Sequence, residues 1–146
     1  MTDVTVTVAQ KISAPVDKAR AAITDPQWEK WLPFIKSAEC AGTSAGSSRV
    51  CVMDMPGTEM DGYELKETIL GVDADAGSLA YSIENPPMPL SNFSGSVVAQ
   101  SGEDGSTTVV WTANFQADPE NVEMLRGAII GQYQTGIGAL EAYASA

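Results

Sequence analysis

The sequence predicts an α+β fold: a seven-stranded curved antiparallel sheet wrapped around a long C-terminal helix, with two short helices between the first and second strands. Three observations carry this prediction. Val4-Thr5-Val6-Thr7-Val8 alternates with period two, as a strand with one buried face does. From Phe34 onward, short runs suited to strands are separated by tight Gly, Asp and Pro turns, the punctuation of an antiparallel meander. The final stretch, about 27 residues, repeats its apolar positions with a helical period.

The first strand runs from Val4 to Ile12. Ser13-Ala14-Pro15 opens a short helix, with Ser or Ala at the cap and Pro in the first turn, and Val16, Ala19, Ala22 and Ile23 follow at helical spacing. Asp25-Pro26 repeats the device for a second brief helix through Trp28 and Trp31, which Pro33 ends. Phe34–Cys40 and Arg49–Met55 read as a hairpin about the Gly42–Gly46 turn, and Pro56-Gly57 turns into Tyr63–Val72. After Asp73–Gly77 come Ser78–Glu84, the stiff loop Asn85–Pro89, Asn92–Gln100, a turn at Gly102–Gly105, and Thr107–Gln116. Asp118-Pro119-Glu120 caps the last helix, with acids in the first turn where the helix dipole favours them. Met124, Leu125, Ala128, Ile129, Gln132, Tyr133, Gly136, Ile137 and Leu140 trace its face. Such a helix is roughly 40 Å long, enough to cross the sheet. Gly127, Gly131, Gly136 and Gly138 inside it are each costly, so tertiary packing must hold it. Without repeats or linkers, residues 1–146 form one expected domain. One helix against a curled sheet of this length leaves volume that is hard to fill, and a cavity is expected.

Composition narrows the function. The 146 residues are 44% hydrophobic and 18% charged, which suits a folded core. The net charge of −11 repels phosphate backbones and anionic lipid, which argues against nucleic-acid and membrane-surface roles. There is no histidine, and with it go Ser-His-Asp and Cys-His triads and the commonest metal ligand. No signal peptide or membrane-spanning run is visible, so a cytoplasmic location is expected. Cys40 and Cys51 flank a turn; a disulfide across the hairpin and two free thiols both fit, and a cytoplasmic chain favours the thiols.

The ordered marks Ile12-Ser13-Ala14-Pro15-Val16, Trp28, Trp31-Leu32-Pro33, Gly46-Ser47-Ser48-Arg49, Gly62, Lys66-Glu67, Asp73, Tyr81-Ser82-Ile83, Trp111, Phe115 and Gly136–Leu140 span nearly the whole chain. In this order and spacing the sequence resembles the helix-grip superfamily (SRPBCC, START-like). That superfamily groups steroidogenic-regulatory-type lipid-transfer domains, birch-pollen-allergen-like proteins and bacterial polyketide cyclase/dehydrase-like proteins, the last being the branch it most resembles. Phe34-Ile35-Lys36-Ser37, Ser82-Ile83 and Leu90-Ser91-Asn92-Phe93 are also similar to stretches of the plant abscisic-acid receptors. That likeness implies a gate loop at Pro56-Gly57 and a facing loop at Asn85–Pro89. Two departures count: the receptors' carboxylate-binding lysine falls at Leu32, and their His-Arg latch falls at Met88-Pro89. An acid gripped in the receptor manner is therefore not expected as the ligand. The resemblance specifies fold far better than activity.

Glu67 is the sharpest candidate for chemistry. Leu65 and Ile69 give residues 65, 67, 69 and 71 one inward face, and the resemblance also places Glu67 in the cavity. A carboxylate among apolar neighbours must be paired, hydrogen-bonded or protonated. Three roles stay open: an ion pair with Arg49, a contact to ligand, or a catalytic acid or base. Arg49 shares inward parity with Cys51 and Met53, and in an apolar site it needs a carboxylate. Tyr81 and Ile83 alternate on one strand, and Tyr81 either donates into the pocket or reaches solvent at its rim. Trp31, Leu32, Met53, Met88, Leu90 and Phe93 gather near the expected mouth, either as ordinary core or as an adaptable lining. By resemblance, Ala128, Gln132 and Gly136 face the pocket and Thr112 turns inward. Alternation instead puts Val109, Trp111, Ala113 and Phe115 inside, and a bulge would reconcile the two. Asp54, Glu59, Asp61 and Glu64 read as a solvated rim rather than a cation site, so no metal is expected, and no phosphate loop or nucleophile elbow is present. No cofactor is expected.

Three functions remain. The leading one is binding or transport of a small hydrophobic ligand, lipid-, isoprenoid- or polyketide-like, in the cavity. The second is a cyclase- or dehydratase-like enzyme using Glu67 or Tyr81 as acid or base. The third is a non-catalytic interaction module, for which the Gly-rich helix and acidic surface could serve a homodimer or a basic partner.

Overall fold

The computed structural model describes residues 1–146, and the alternation read from the sequence dictates its sheet. The strands are β1 (Thr2–Ile12), β2 (Ile35–Cys40), β3 (Ser48–Met53), β4 (Glu64–Asp73), β5 (Ser78–Ile83), β6 (Ser91–Ser101) and β7 (Thr107–Ala117). All pairs are antiparallel, in the order β1-β7-β6-β5-β4-β3-β2. Val4, Val6, Val8 and Ile12 of β1 are buried while Thr5 and Thr7 face solvent, as period two requires. Register shifts at Ile35/Ser37, Ile69/Gly71 and Ser91/Ser94 break the ladder locally, and such bulges bend a sheet. The sheet is curved, as expected.

Helix α1 (Val16–Thr24) and a single 3-10 turn (Trp28–Lys30) fill the connection between β1 and β2. The second expected helix is therefore only that turn, because Pro26 and Pro33 bound too short a stretch for more. Asp25 does hold it, its Oδ1 accepting from the Gln27 N–H at 3.0 Å. At α1 the capping expectation fails: Pro15 occupies the cap with no side-chain bond, and Ser13 is spent on α2, its N–H and hydroxyl both donating to Glu141 Oε2 at 2.7 and 3.2 Å.

The C-terminal segment begins as a 3-10 turn (Pro119–Asn121) and continues as α2 (Val122–Ser145). Asp118 makes no side-chain cap bond, so proline geometry rather than an Asp cap starts it. Leu125, Ile129, Tyr133, Gly136, Ile137, Leu140 and Ala144 form the buried stripe. Ala128 and Met124, expected on that stripe, are exposed because they fall to its flank. Gly136 is required where it stands: a Cβ there would lie 2.7 Å from Trp111 Cζ3 and 3.1 Å from Leu32 Cδ1. The helix thus rests directly on the sheet's inner face. No helix is long and apolar enough to cross a membrane.

Candidate functional site

Between the sheet, α2 and the loops after β3 and β5 lies a hollow of about 80 Å³. Its solvent side is lined by half-buried Phe34, Met60, Pro86, Pro87 and Met88. Its inner wall is aromatic. Trp28 sits 5.6 Å from both Tyr81 and Trp111, ring centre to ring centre, and Trp111 stacks on Tyr133 at 4.5 Å. These rings occupy volume that the sheet and helix alone would have left open, so the hollow is smaller than a helix-crossed sheet implies. Tyr81 itself needs Gly95 opposite it on β6, where a Cβ would come within 2.6 Å of the Tyr81 ring.

Glu67 points inward and is 6% exposed. It lies directly across from Arg49 in the β3–β4 ladder, and Arg49 Nε donates to Glu67 Oε1 at 2.7 Å. Arg49, itself fully buried, also donates from Nη1 to the Pro26 carbonyl at 2.9 Å. Its guanidinium carbon lies 4.4 Å from the Trp28 ring centre and 5.5 Å from that of Tyr81, within cation–π range. Burial works against its charge, but Glu67 outweighs that and holds the Arg49 pKa above its usual range. The pair therefore staples β3 and β4 to the turn that carries Trp28. Glu67 Oε1 also accepts from the Cys51 thiol at 3.4 Å, so this oxygen is committed to the staple, which makes Glu67 a poor candidate for a base.

Three further ionisable side chains around the hollow, Cys51, Tyr81 and Tyr133, stay neutral near pH 7. Burial, aided by Glu67, pushes the Cys51 thiol far up, so it is no nucleophile. The same causes push Tyr81 up to about 12, and burial followed by the Tyr81 neighbour raises Tyr133 well above its usual value. Trp111 Nε1 donates to the Tyr81 hydroxyl at 3.2 Å. The Tyr133 hydroxyl is buried and closes no hydrogen bond.

Of the residues expected at a pocket, Leu32, Arg49, Met53, Glu67, Tyr81, Ile83, Met88, Phe93 and Gln132 line the hollow. Cys51, Ile69, Leu90 and Gly136 are buried but stop short of it, packed into the core behind the lining. Two placements are corrected. Thr112 turns to the outer face and meets Thr7, because the β1–β7 register runs unbroken and keeps Trp111 inside. Ala128 lies on the solvent side of α2. Cys40 and Cys51 are free, since the register sets Cys51 against Ala38 and Cys40 against Arg49. Near the Pro56 turn, Asp61 Oδ1 accepts from the Met55 N–H at 3.0 Å, so one rim acid stitches the loop. Trp28, Trp111, Ile129 and Tyr133 line the hollow and were missed as site residues. Tyr133 carried a signal: a hydroxyl four residues from Ile129 and from Ile137 lies on a buried helix stripe and needs a partner.

This arrangement, a curved sheet gripping a helix over an apolar hollow, recurs in known proteins. Residues 1–145 match the family described as polyketide cyclase/dehydrase and lipid transport. The chain belongs to that family. Among solved members of the helix-grip fold, a Thermobifida fusca protein is 28% identical with a TM-score of 0.77, covering 95% of this chain and 92% of that one. The aromatase/cyclase ZhuI of a Streptomyces species has a TM-score of 0.79 at 16% identity, over 98% and 94% of the two chains. Truncated norcoclaurine synthase from Thalictrum flavum has a TM-score of 0.74 at 15% identity, over 96% and 92%. At such identities the two enzymes share the fold alone with this polyketide cyclase/dehydrase family chain. No curated protein matches it significantly.

Proposed function

We propose that the protein binds a small, mostly apolar molecule in the hollow beneath α2. The observation that carries this is an apolar chamber whose inner wall presents a buried, unpartnered Tyr133 hydroxyl. Most buried polar groups in folded proteins have a partner, so an orphan hydroxyl on the wall of a hollow marks a place where a guest atom would be welcome. The family description, with its lipid transport, supports the same reading. The volume sets a condition. A benzene-sized guest needs a cavity of roughly 150 Å³, so a hollow of about 80 Å³ must widen to admit a ligand. Met60 and Met88 at the rim are the flexible side chains suited to yield.

The test is native mass spectrometry of the protein purified from its own source, paired with tryptophan fluorescence during titration with apolar probes. Trp28 and Trp111 line the hollow and should report its filling. A co-purifying small molecule released on denaturation is the expected result. Repeated preparations without an adduct, together with no fluorescence response, would contradict the proposal.

A cyclase-like reaction is the second reading, favoured by the two neutral tyrosines. Their hydroxyls can donate to a carbonyl oxygen as charge develops on it. Glu67, held by Arg49, supplies no comparable base.

A further inference from the structure

Counting the hydrogen-bonding groups in the hollow shows which ligand oxygen would be welcome there. Tyr81 accepts from Trp111, which leaves its own O–H proton without an acceptor among the side chains and backbone. The Tyr133 hydroxyl, on a side chain 5% exposed, has neither donor nor acceptor. Both tyrosines line the same hollow and stay protonated far above neutral pH. Even were these neighbouring hydroxyls to turn toward each other, one proton would still lack an acceptor in a largely apolar chamber. The lining's single cation, Arg49, is already neutralised by Glu67 and tied to Pro26. An entering carboxylate would leave a net negative charge in the hollow with no free counter-charge.

We infer that Tyr133, with Tyr81 beside it, is the polar subsite of the hollow, and that it selects neutral ligands carrying a carbonyl oxygen over both hydrocarbons and carboxylic acids. This inference rests on the ligand-binding reading above and names its chemical class. A carbonyl oxygen has two lone pairs and can accept from both hydroxyls at once. In an apolar chamber such hydrogen bonds are electrostatically stronger than they are in water.

Three single-ring probes of nearly equal size separate the possibilities: acetophenone, ethylbenzene and benzoate. Affinities are read by tryptophan fluorescence, and acetophenone labelled with ¹³C at the carbonyl is read by NMR. Acetophenone is expected to bind roughly tenfold more tightly than ethylbenzene, about the value of a satisfied buried hydrogen bond. Benzoate should be the weakest, and the bound carbonyl resonance should move downfield. Tyr133→Phe removes only an unpartnered hydroxyl. It should shrink the preference for acetophenone over ethylbenzene several-fold, with Tyr81 supplying what remains. Equal binding of acetophenone and ethylbenzene, tightest binding of benzoate, or a preference undiminished in Tyr133→Phe would each overturn the inference while leaving the ligand-binding reading standing. Failure of all three probes to bind would overturn both. If the variant does not fold, the carbonyl shift on the unmodified protein decides the matter.

Discussion

Glu67 and Arg49 show how much one pair of side chains fixes. Removing one charge from a buried pair strands the other, at a cost of about 3–5 kcal/mol. Glu67→Gln should therefore lower stability by roughly that amount in urea unfolding. Arg49→Met combined with Glu67→Leu should lie closer to the parent than either single change, because no lone charge remains. A Glu67→Gln protein as stable as the parent would mean the carboxylate is not the staple described here. The pairing was legible in the sequence, since two parity arguments put both residues inward on neighbouring strands. The Pro26 carbonyl on Arg49 and the orphan hydroxyl of Tyr133 were not, because both depend on how distant segments meet. Gly95 was equally silent. Only the observed packing shows that it makes room for the Tyr81 ring.

Among the elements, α2 carries the sharpest contrast. The sequence makes its four glycines look alike, yet only Gly136 has neighbours in the way of a Cβ, while Gly127, Gly131 and Gly138 face open space. Alanine at each of these three should stabilise the protein by about 0.5–1 kcal/mol through helix propensity alone. Gly136→Ala should instead lower the melting temperature, since the new methyl must displace Trp111 or Leu32. Thermal scans of the four variants check this, and a stabilised Gly136→Ala would contradict the close approach. Strand positions and the long helix were readable because periodicity and turn residues are local signals. Caps were not: Asp118 and Ser13 have the right chemistry, but Ser13 is claimed by Glu141 and Asp118 makes no cap bond at the 3-10 turn that Pro119 opens ahead of α2.

For the molecule as a whole, the buried acids tie stability to alkaline pH. Cys51, Tyr81 and Tyr133 all have folded pKa values above their unfolded ones, near 9 for the thiol and 10 for the phenols. Their contribution is complete below those unfolded values and is lost as pH climbs toward the folded ones. Each group, once ionised in the unfolded chain, removes up to about 1.4 kcal/mol per pH unit. The melting temperature should hold level to about pH 9 and then fall steeply, with a shallower fall in Tyr133→Phe. A level melting temperature up to pH 12 in the parent would contradict the burial of these groups. The global topology was legible as an order of elements, whereas the size of the hollow was not, because it depends on how tightly the tryptophans pack. The sheet order also has a consequence for biosynthesis. Strands β1 and β2, adjacent in sequence, end at opposite edges, and β1 pairs only with β7. A ribosome therefore releases a valine-rich ribbon long before the strand that will cover it exists, so this protein's greatest exposure to misassembly falls during translation rather than after it.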